Sequence, residues 1–325
     1  MKKHIIPIAM ISDDNFIMPT CVAITSILLN KSTDTAYRFY IIMAECSDAS
    51  KEKIMLLNDY DQDSQVEIIN ASLDKYRDIK QLAHISQACL LKFDICDLIP
   101  DYEKILYLDG DIIVRADLWE LYATDLENKY AGAVKEYQCM EEDTGRINAG
   151  IMLFNAKRIR EENLSKTLYE TRIALGDRAS MDQQTFNIVT NKEYKYLSIK
   201  YNCIIGRFMG ENRVDSYTID KINTLYQENY SSIENVLKDA RVVHFATSNK
   251  PWVYTFNPGA KEWFDYYKKS PYRDEQFRLK TRNQYRIEKM IEAWKKDGFK
   301  GVASRFKDKW IRLTNRKKDN NGNWE

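Results

Sequence analysis

The densest chemistry in this 325-residue chain lies in Leu108-Asp109-Gly110-Asp111-Ile112. Two carboxylates separated by one residue leave one apolar run, Lys104–Leu108, and enter another, Ile112–Val114, so both can aim at one hard cation. Gly110 lets the backbone turn tightly between them. An oxygen-ligated Mg²⁺ or Mn²⁺ held this way keeps positions open for the diphosphate of a nucleotide. The alternative is a surface turn, for which Asp-Gly is a common dipeptide, but apolar flanks on both sides favour the cation site. Asp13-Asp14-Asn15 follows the first apolar run. In a nucleotide-binding sheet such a loop meets base or ribose; otherwise its side chains cap the next helix. Of the three histidines, His4, His84 and His244, the last sits in the apolar run Arg241–Phe245. A neutral imidazole there either completes a divalent-cation site beside the carboxylates or bonds to backbone at a strand end.

These side chains need a frame. Ile5–Ile11 reads as a buried strand, 19–30 as a helix with Pro19 in its first turn, and Arg38–Ala44 as a second strand. Residues 48–59 read as helix and Val66–Asn70 as a third strand. This alternation predicts an α/β fold with a parallel sheet built by right-handed crossovers. A helix over 86–98 stops before Pro100, and strands follow at Lys104–Leu108, Ile112–Val114, Ala131–Val134 and Ala149–Phe154. Helices are predicted over 156–175 and 180–190, a mixed region over 195–247, and a late strand at Arg241–Phe245. Asp109 and Asp111 then lie outside the carboxyl end of a strand, where open α/β sheets bind ligands.

Composition sets bounds. The chain is 44% hydrophobic with only 6 Pro and 11 Gly, which provides a packed core and excludes disorder. A net charge of +1 argues against a dedicated nucleic-acid binder. The average conceals a split: 261–325 holds 19 Lys+Arg against 10 Asp+Glu, or +9, leaving −8 on 1–260. Phe277, Tyr285, Ile287, Met290, Ile291 and Trp294 form one apolar stripe in the tail. Phe299, Val302, Phe306, Trp310 and Leu313 form a second, interleaved with Lys300, Arg305, Lys307, Lys309 and Arg312. Residues 272–318 therefore read as a basic amphipathic segment for an anionic membrane surface, or as a helix packed on the body or solvated. Six cysteines without a C-x-x-C pair read as free thiols in a reducing cytosol. No run reaches the ~18 apolar residues of a spanning helix, and no secretory cleavage site follows Met1-Lys2-Lys3-His4. The expected division is 1–270, a catalytic domain, and 271–325, a helical basic tail.

In chain order the features are Asp13-Asp14-Asn15, His84-Ile85-Ser86, Tyr107-Leu108-Asp109-Gly110-Asp111, Asn148-Ala149-Gly150, Asp182-Gln183 and His244-Phe245…Lys250-Pro251-Trp252. Over residues 5–255 this set resembles glycosyltransferase family 8, which includes bacterial lipopolysaccharide galactosyl- and glucosyltransferases and is related to glycogenin. The resemblance implies a GT-A fold, a Rossmann-like mixed sheet flanked by helices, using Mn²⁺ (or Mg²⁺) and a UDP-hexose donor with retention of configuration. It implies Asp109, Asp111 and His244 as metal ligands, Asp13, Asp14 and Asn15 on the uridine, and Lys250 on the diphosphate. His84, Asn148, Asp182 and Gln183 would surround the donor sugar, with Lys92, Gly110, Ala149 and Gly150 completing the donor site. Leu90 and Lys92 stand where relatives often carry Tyr and Arg, and Lys keeps the charge but loses the bidentate fork. Thr247 or Ser248 replaces a usual Gly, and Gln184 replaces the second Asp of Asp-Gln-Asp.

The implied reaction moves galactose or glucose from UDP to a hydroxyl of a cell-surface glycan of lipopolysaccharide or capsule type, free or lipid-linked, at the inner face of the cytoplasmic membrane. The negative charge developing on UDP needs stabilising, which metal and Lys250 would supply. Asp182 and Gln183 are the expected catalytic residues, supporting front-face attack at an oxocarbenium-like centre; Asp182 also reads as a helix cap. Competing expectations are a transferase with another nucleotide sugar or a protein acceptor, and a non-catalytic membrane-binding protein working through its basic tail.

Overall fold

The structure is a computed structural model, and it describes residues 3–79, 86–136, 145–176, 182–209, 218–276 and 278–295. The apolar runs become β1 (His4–Ser12), β2 (Thr35–Met43), β3 (Gln65–Asn70), β4 (Lys104–Leu108) and β5 (Ile112–Val114). They are followed by β6 (Ala131–Lys135), β7 (Ile147–Asn155), β8 (Tyr194–Tyr196), β9 (Cys203–Ile204) and β10 (Val242–His244). Seven strands form the central sheet in the order β3-β2-β1-β4-β7-β6-β8. β1 runs parallel to β2 and β4, and β2 runs parallel to β3. β7 runs antiparallel to both β4 and β6, so the sheet is mixed rather than parallel throughout.

Both faces of this sheet are covered, which is why its inner strands are apolar at consecutive positions rather than alternating. Ile6, Ile8 and Met10 of β1 pack on one side with Cys21, Val22 and Ile24 of helix Ile17–Leu29. Ala9 and Ile11 face the other side, with Leu90, Phe93 and Phe186. In β7 the side assignment changes phase at Gly150: Ile147 and Ala149 lie on the same side as Met152 and Phe154. The β6–β7 register shifts in this stretch, between Ala133 and Lys135. Such irregularities re-aim side chains beside functional sites.

The chain winds from β1 outward to β2 and β3, then returns to place β4 on the opposite side of β1. The carboxyl ends of β1 and β4 therefore flank a topological switch point, the place where open α/β sheets form a ligand crevice. A second sheet, β5-β10-β9, continues directly from it. The Asp109–Asp111 turn carries the chain from one sheet to the other, and β10 brings His244 opposite Ile112.

Several elements differ from the sequence reading in detail. The helix expected over 86–98 is a 3₁₀ coil at Gln87–Asp94 followed by one α-turn at Ile95–Leu98. The helix expected over 156–175 is broken into Ala156–Glu161 and Leu164–Leu175. Asn163 takes the left-handed conformation between them, φ 51°, which Asn tolerates better than most residues. The mixed region holds β8 and β9 with short helices at Ile205–Phe208, Ile219–Tyr226 and Ile233–Asp239.

After β10, helix Ala260–Tyr267 docks on helix Ile17–Leu29 through fully buried Trp263. Residues 282–295 are helical. Tyr285 packs edge-on against Tyr254 and Phe256, with ring centroids 5.0 and 5.3 Å away. Ile287, Met290, Ile291 and Trp294 of the first apolar stripe are exposed. Phe277, the second stripe and the rest of the basic tail from 296 onward lie outside the described residues. No helix among the described residues is long and apolar enough to cross a membrane. Cys21, Cys46, Cys89, Cys96 and Cys203 are free thiols.

Candidate active site

Asp109 leaves β4 with its backbone N–H donating to Gly150 O at 2.8 Å. A Cβ on Gly110 would fall 2.4 Å from Thr20 Oγ1, so the turn that separates the two carboxylates closes only with glycine. Asp111 O then accepts from Phe245 N at 2.9 Å, locking the turn beside β10. Three donor atoms result: one oxygen each from Asp109 and Asp111 and a ring nitrogen of His244, all within 4.8 Å of one another. His244 Nε2 lies 3.2 Å from Asp111 Oδ1 and 3.6 Å from Asp109 Oδ2. Gly150 borders the group so closely that a Cβ there would stand 2.3 Å from His244 Cε1 and 2.8 Å from Asp109 Oδ2.

Charge is concentrated here. Burial raises the Asp109 carboxyl above its ordinary range, the nearby Lys92 ammonium opposes this, and the Asp111 carboxylate reinforces it. Burial acts the same way on Asp111, but Lys250 and His244 outweigh it and hold that carboxyl well below its ordinary range. Lys250 Nζ sits 2.5 Å from Asp111 Oδ2 and also donates to Phe245 O at 2.7 Å. Two carboxylates and one imidazole nitrogen on a half-open crevice fit a divalent cation with oxygen and nitrogen preference, leaving its remaining positions for a ligand's oxygens.

On the neighbouring side Lys92 is almost fully buried. Its Nζ donates to Ala149 O at 2.8 Å, pairs with Asp182 Oδ2 at 2.5 Å and lies 3.8 Å from Asp109 Oδ1. Burial alone would favour the neutral amine, but the two carboxylates hold Lys92 protonated, well above its ordinary range. It also sits over the Tyr107 ring, whose hydroxyl donates to Asp109 Oδ1 at 2.5 Å. Gln183 Oε1 accepts from Ala149 N and Asn148 Nδ2, each at 3.2 Å. Thus Asp109, Gly110, Asp111, Asn148, Ala149, Gly150, Asp182, Gln183, Lys92, His244 and Lys250 form one continuous group.

The β1 loop lies across the crevice. Asp13 Oδ1 accepts from Asn15 N and Phe16 N at 3.0 Å each, a local turn leading into helix Ile17–Leu29. Asp14 accepts from Ser50 Oγ at 2.6 Å, Ser47 Oγ at 2.9 Å and Ser47 N at 3.0 Å. The Ser50 and Ser47 bonds hold its carboxyl below its ordinary value. Asn15 is exposed. Phe16 reaches Trp252 edge-on at 5.8 Å, joining this loop to the one that carries Lys250. Thr247, which with Ser248 stands in the region of the usual glycine, packs against Gly206. His84 lies outside the described residues.

Three residues that the sequence reading passed over belong to the group. Buried Glu136 pairs with Arg207 at 2.6 Å and accepts from Asn148 Nδ2 at 3.1 Å. Asn202 bridges Asn148 and His244, at 2.8 Å on each side. Asn202 precedes the two apolar residues of β9, but a single polar residue in the mixed 195–247 region carries no periodic signal.

The sequence model described as "Glycosyl transferase family 8" matches residues 7–255. Glycosyltransferase GlyD of Streptococcus pneumoniae serotype 4 is 29% identical over 213 residues, covering 62% of this chain and 24% of that protein. A lipopolysaccharide 1,2-glucosyltransferase of Escherichia coli is 24% identical, covering 81% of this chain and 78% of that protein. The chain spans 24% to 61% of the length of the first curated relatives it matches. Among solved structures, the galactosyltransferase LgtC in complex with donor and acceptor sugar analogs superposes with a TM-score of 0.67 at 21% identity, covering 82% of this chain and 96% of LgtC. The mixed seven-stranded sheet flanked by helices is thus a GT-A fold.

Proposed function

This chain belongs to glycosyl transferase family 8, and we propose that it is a retaining, metal-dependent hexosyltransferase. It moves glucose or galactose from a UDP-sugar to a hydroxyl of a surface glycan of lipopolysaccharide or capsule type. The observation that carries this reading is the convergence of Asp109, Asp111 and His244 at the switch point between β1 and β4. An imidazole beside two carboxylates favours Mn²⁺ over Mg²⁺. When bound, the cation supplies positive charge to the diphosphate of the departing UDP.

The chain's own groups do the rest. Lys250, now paired with Asp111, offers a second positive charge at the edge of the crevice for the leaving diphosphate. The Asp182 carboxylate is neutralised by Lys92, and the Gln183 amide oxygen is engaged by Ala149 N and Asn148. Neither is set up as a free nucleophile, which supports front-face attack, the leaving phosphate taking the acceptor's proton. Asp13, Asp14 and Asn15 across the crevice take the uridine.

The family name and the E. coli relative's activity on lipopolysaccharide support the acceptor class. The exposed Ile287, Ile291 and Trp294 beside a basic tail support peripheral attachment to an anionic membrane through 272–318. In the proposed division, 1–270 is catalytic and 271–325 provides this attachment. The test is incubation of purified protein with a UDP-sugar panel, with Mn²⁺ or with chelator, following sugar release and product configuration by NMR. Turnover of UDP-glucose or UDP-galactose only with metal, and an α-configured product, is expected. Failure to bind or hydrolyse any UDP-sugar overturns the donor reading. Retained binding to anionic vesicles after deletion of 272–325 overturns the membrane reading.

A further inference from the structure

The direction of a hydrogen-bond chain reaches His244 from the far side of the group. Backbone N–H groups can only donate, and Gly150 N donates to Asn148 Oδ1 at 3.1 Å. That oxygen is therefore an acceptor, and Asn148 Nδ2 faces the opposite way. There it meets two acceptors: Glu136 Oε2 at 3.1 Å and Gln183 Oε1 at 3.2 Å. The latter is identified as an oxygen by Ala149 N, which donates to it at 3.2 Å. Glu136 is itself a buried carboxylate neutralised by Arg207.

With Asn148 oriented, Asn202 is oriented too. Its partner at 2.8 Å is Asn148 Oδ1, so the Asn202 atom pointing there is the donating Nδ2. Its other atom, Oδ1, is turned to His244 Nδ1 at 2.8 Å. An amide oxygen only accepts, so Nδ1 carries a proton, and Nε2 is the nitrogen left to face Asp111 and Asp109, where a cation would take the place of any proton it shares with their carboxylates.

We infer that Asn202 is a positioning residue that fixes the metal-binding tautomer of His244, and that the backbone N–H groups of Ala149 and Gly150, with Glu136, fix Asn202 through Asn148. This rests on the reading of Asp109, Asp111 and His244 as a cation site. It extends that reading by tying the cation side of the crevice to the amides on its sugar side.

The test uses the full chain in two measurements. In metal-free, ¹⁵N-histidine-labelled wild-type protein, His244 Nδ1 should appear protonated; an unprotonated Nδ1 overturns the inference. Mn²⁺ affinity without donor is then compared across Asn202→Ser, too short to reach Nδ1, and Asn202→Asp, which can only accept. Asn202→Ser should weaken Mn²⁺ binding about 10- to 100-fold, the range seen when a partner behind a metal-ligating histidine is lost. Asn202→Asp keeps the acceptor for Nδ1 but sets a carboxylate oxygen against Asn148 Oδ1, so it should lose less Mn²⁺ affinity than Asn202→Ser and keep Nδ1 protonated. Equal losses in both variants, or wild-type affinity in a folded Asn202→Ser protein, overturn it. The wild-type NMR result stands even where a variant fails to fold. Absence of Mn²⁺ binding by wild type is a distinct failure, that of the cation site itself.

Discussion

The two banks of the crevice satisfy their carboxylates in opposite ways. On the β1 bank, Asp13 takes backbone N–H groups two and three residues ahead, and Asp14 takes Ser47 and Ser50 at the start of the next helix. No ionised partner is needed, and these acids are at or near the surface. On the β4 bank, Asp109, Asp111 and Asp182 rely on Lys92, Lys250 and His244. Lys250 and His244 lie 139 and 133 residues from Asp111, and Lys92 lies 90 residues from Asp182. The first bank is a preformed turn that presents polar atoms. The second is a cluster of buried charge that only the finished fold assembles, and its balance is what a cation or diphosphate would alter.

This contrast is testable by breaking each bank in turn. Asp109→Asn with Asp111→Asn should abolish Mn²⁺ binding and lower transfer by at least about 1,000-fold, read by calorimetry and donor turnover. Gly150→Ala should come next: its Cβ meets His244 Cε1 and Asp109 Oδ2, so loss of about 100-fold in turnover is expected with an unchanged circular-dichroism spectrum. Lys92→Met removes a buried ammonium and leaves partly buried Asp182 without its cation; a loss of about 3 kcal/mol in unfolding free energy, measured by denaturant, is expected together with impaired turnover. An unchanged unfolding midpoint would mean that Asp182 finds water instead.

The β1 bank should respond least. Asp14→Asn is expected to raise KM for the donor a few-fold with kcat nearly unchanged. The folded-state carboxyl of Asp14 lies below its ordinary value, so its contribution is present above the ordinary carboxylate pKa and fades as pH falls through the folded one. Thermal melts of wild type and Asp14→Asn should therefore converge toward pH 3. Curves that stay parallel across pH 3 to 6 would show that the Ser47 and Ser50 bonds hold a neutral group equally well.

What was legible in the sequence follows the same division. Asp109 and Asp111 stood out because apolar strands flank them, and Asp13-Asp14-Asn15 because it ends the first strand. The β1 to β3 crossovers were readable from alternating strand and helix lengths. The direction of β7 was not, since a strand buried on both faces is apolar whichever way it runs. The strands at Ile112–Val114 and Arg241–Phe245 were readable, but β9 and the pairing of all three into a second sheet were not, since strands of two or three residues carry no periodicity. Glu136, Asn202 and Arg207 escaped for a different reason: their meaning lies in partners 12 to 71 residues away.

Gly150 also constrains how this chain can change over generations of mutation. Every other amino acid brings a Cβ, and here that one atom would collide with two of the three proposed cation ligands. A library randomised at 148–150 and selected for turnover should therefore return glycine alone at its third position. Variation at Asn148 would require matched change at Asn202 or Gln183, its hydrogen-bond partners. New donor preferences are thus reached more readily by paired substitutions among these amides than by single steps along the strand.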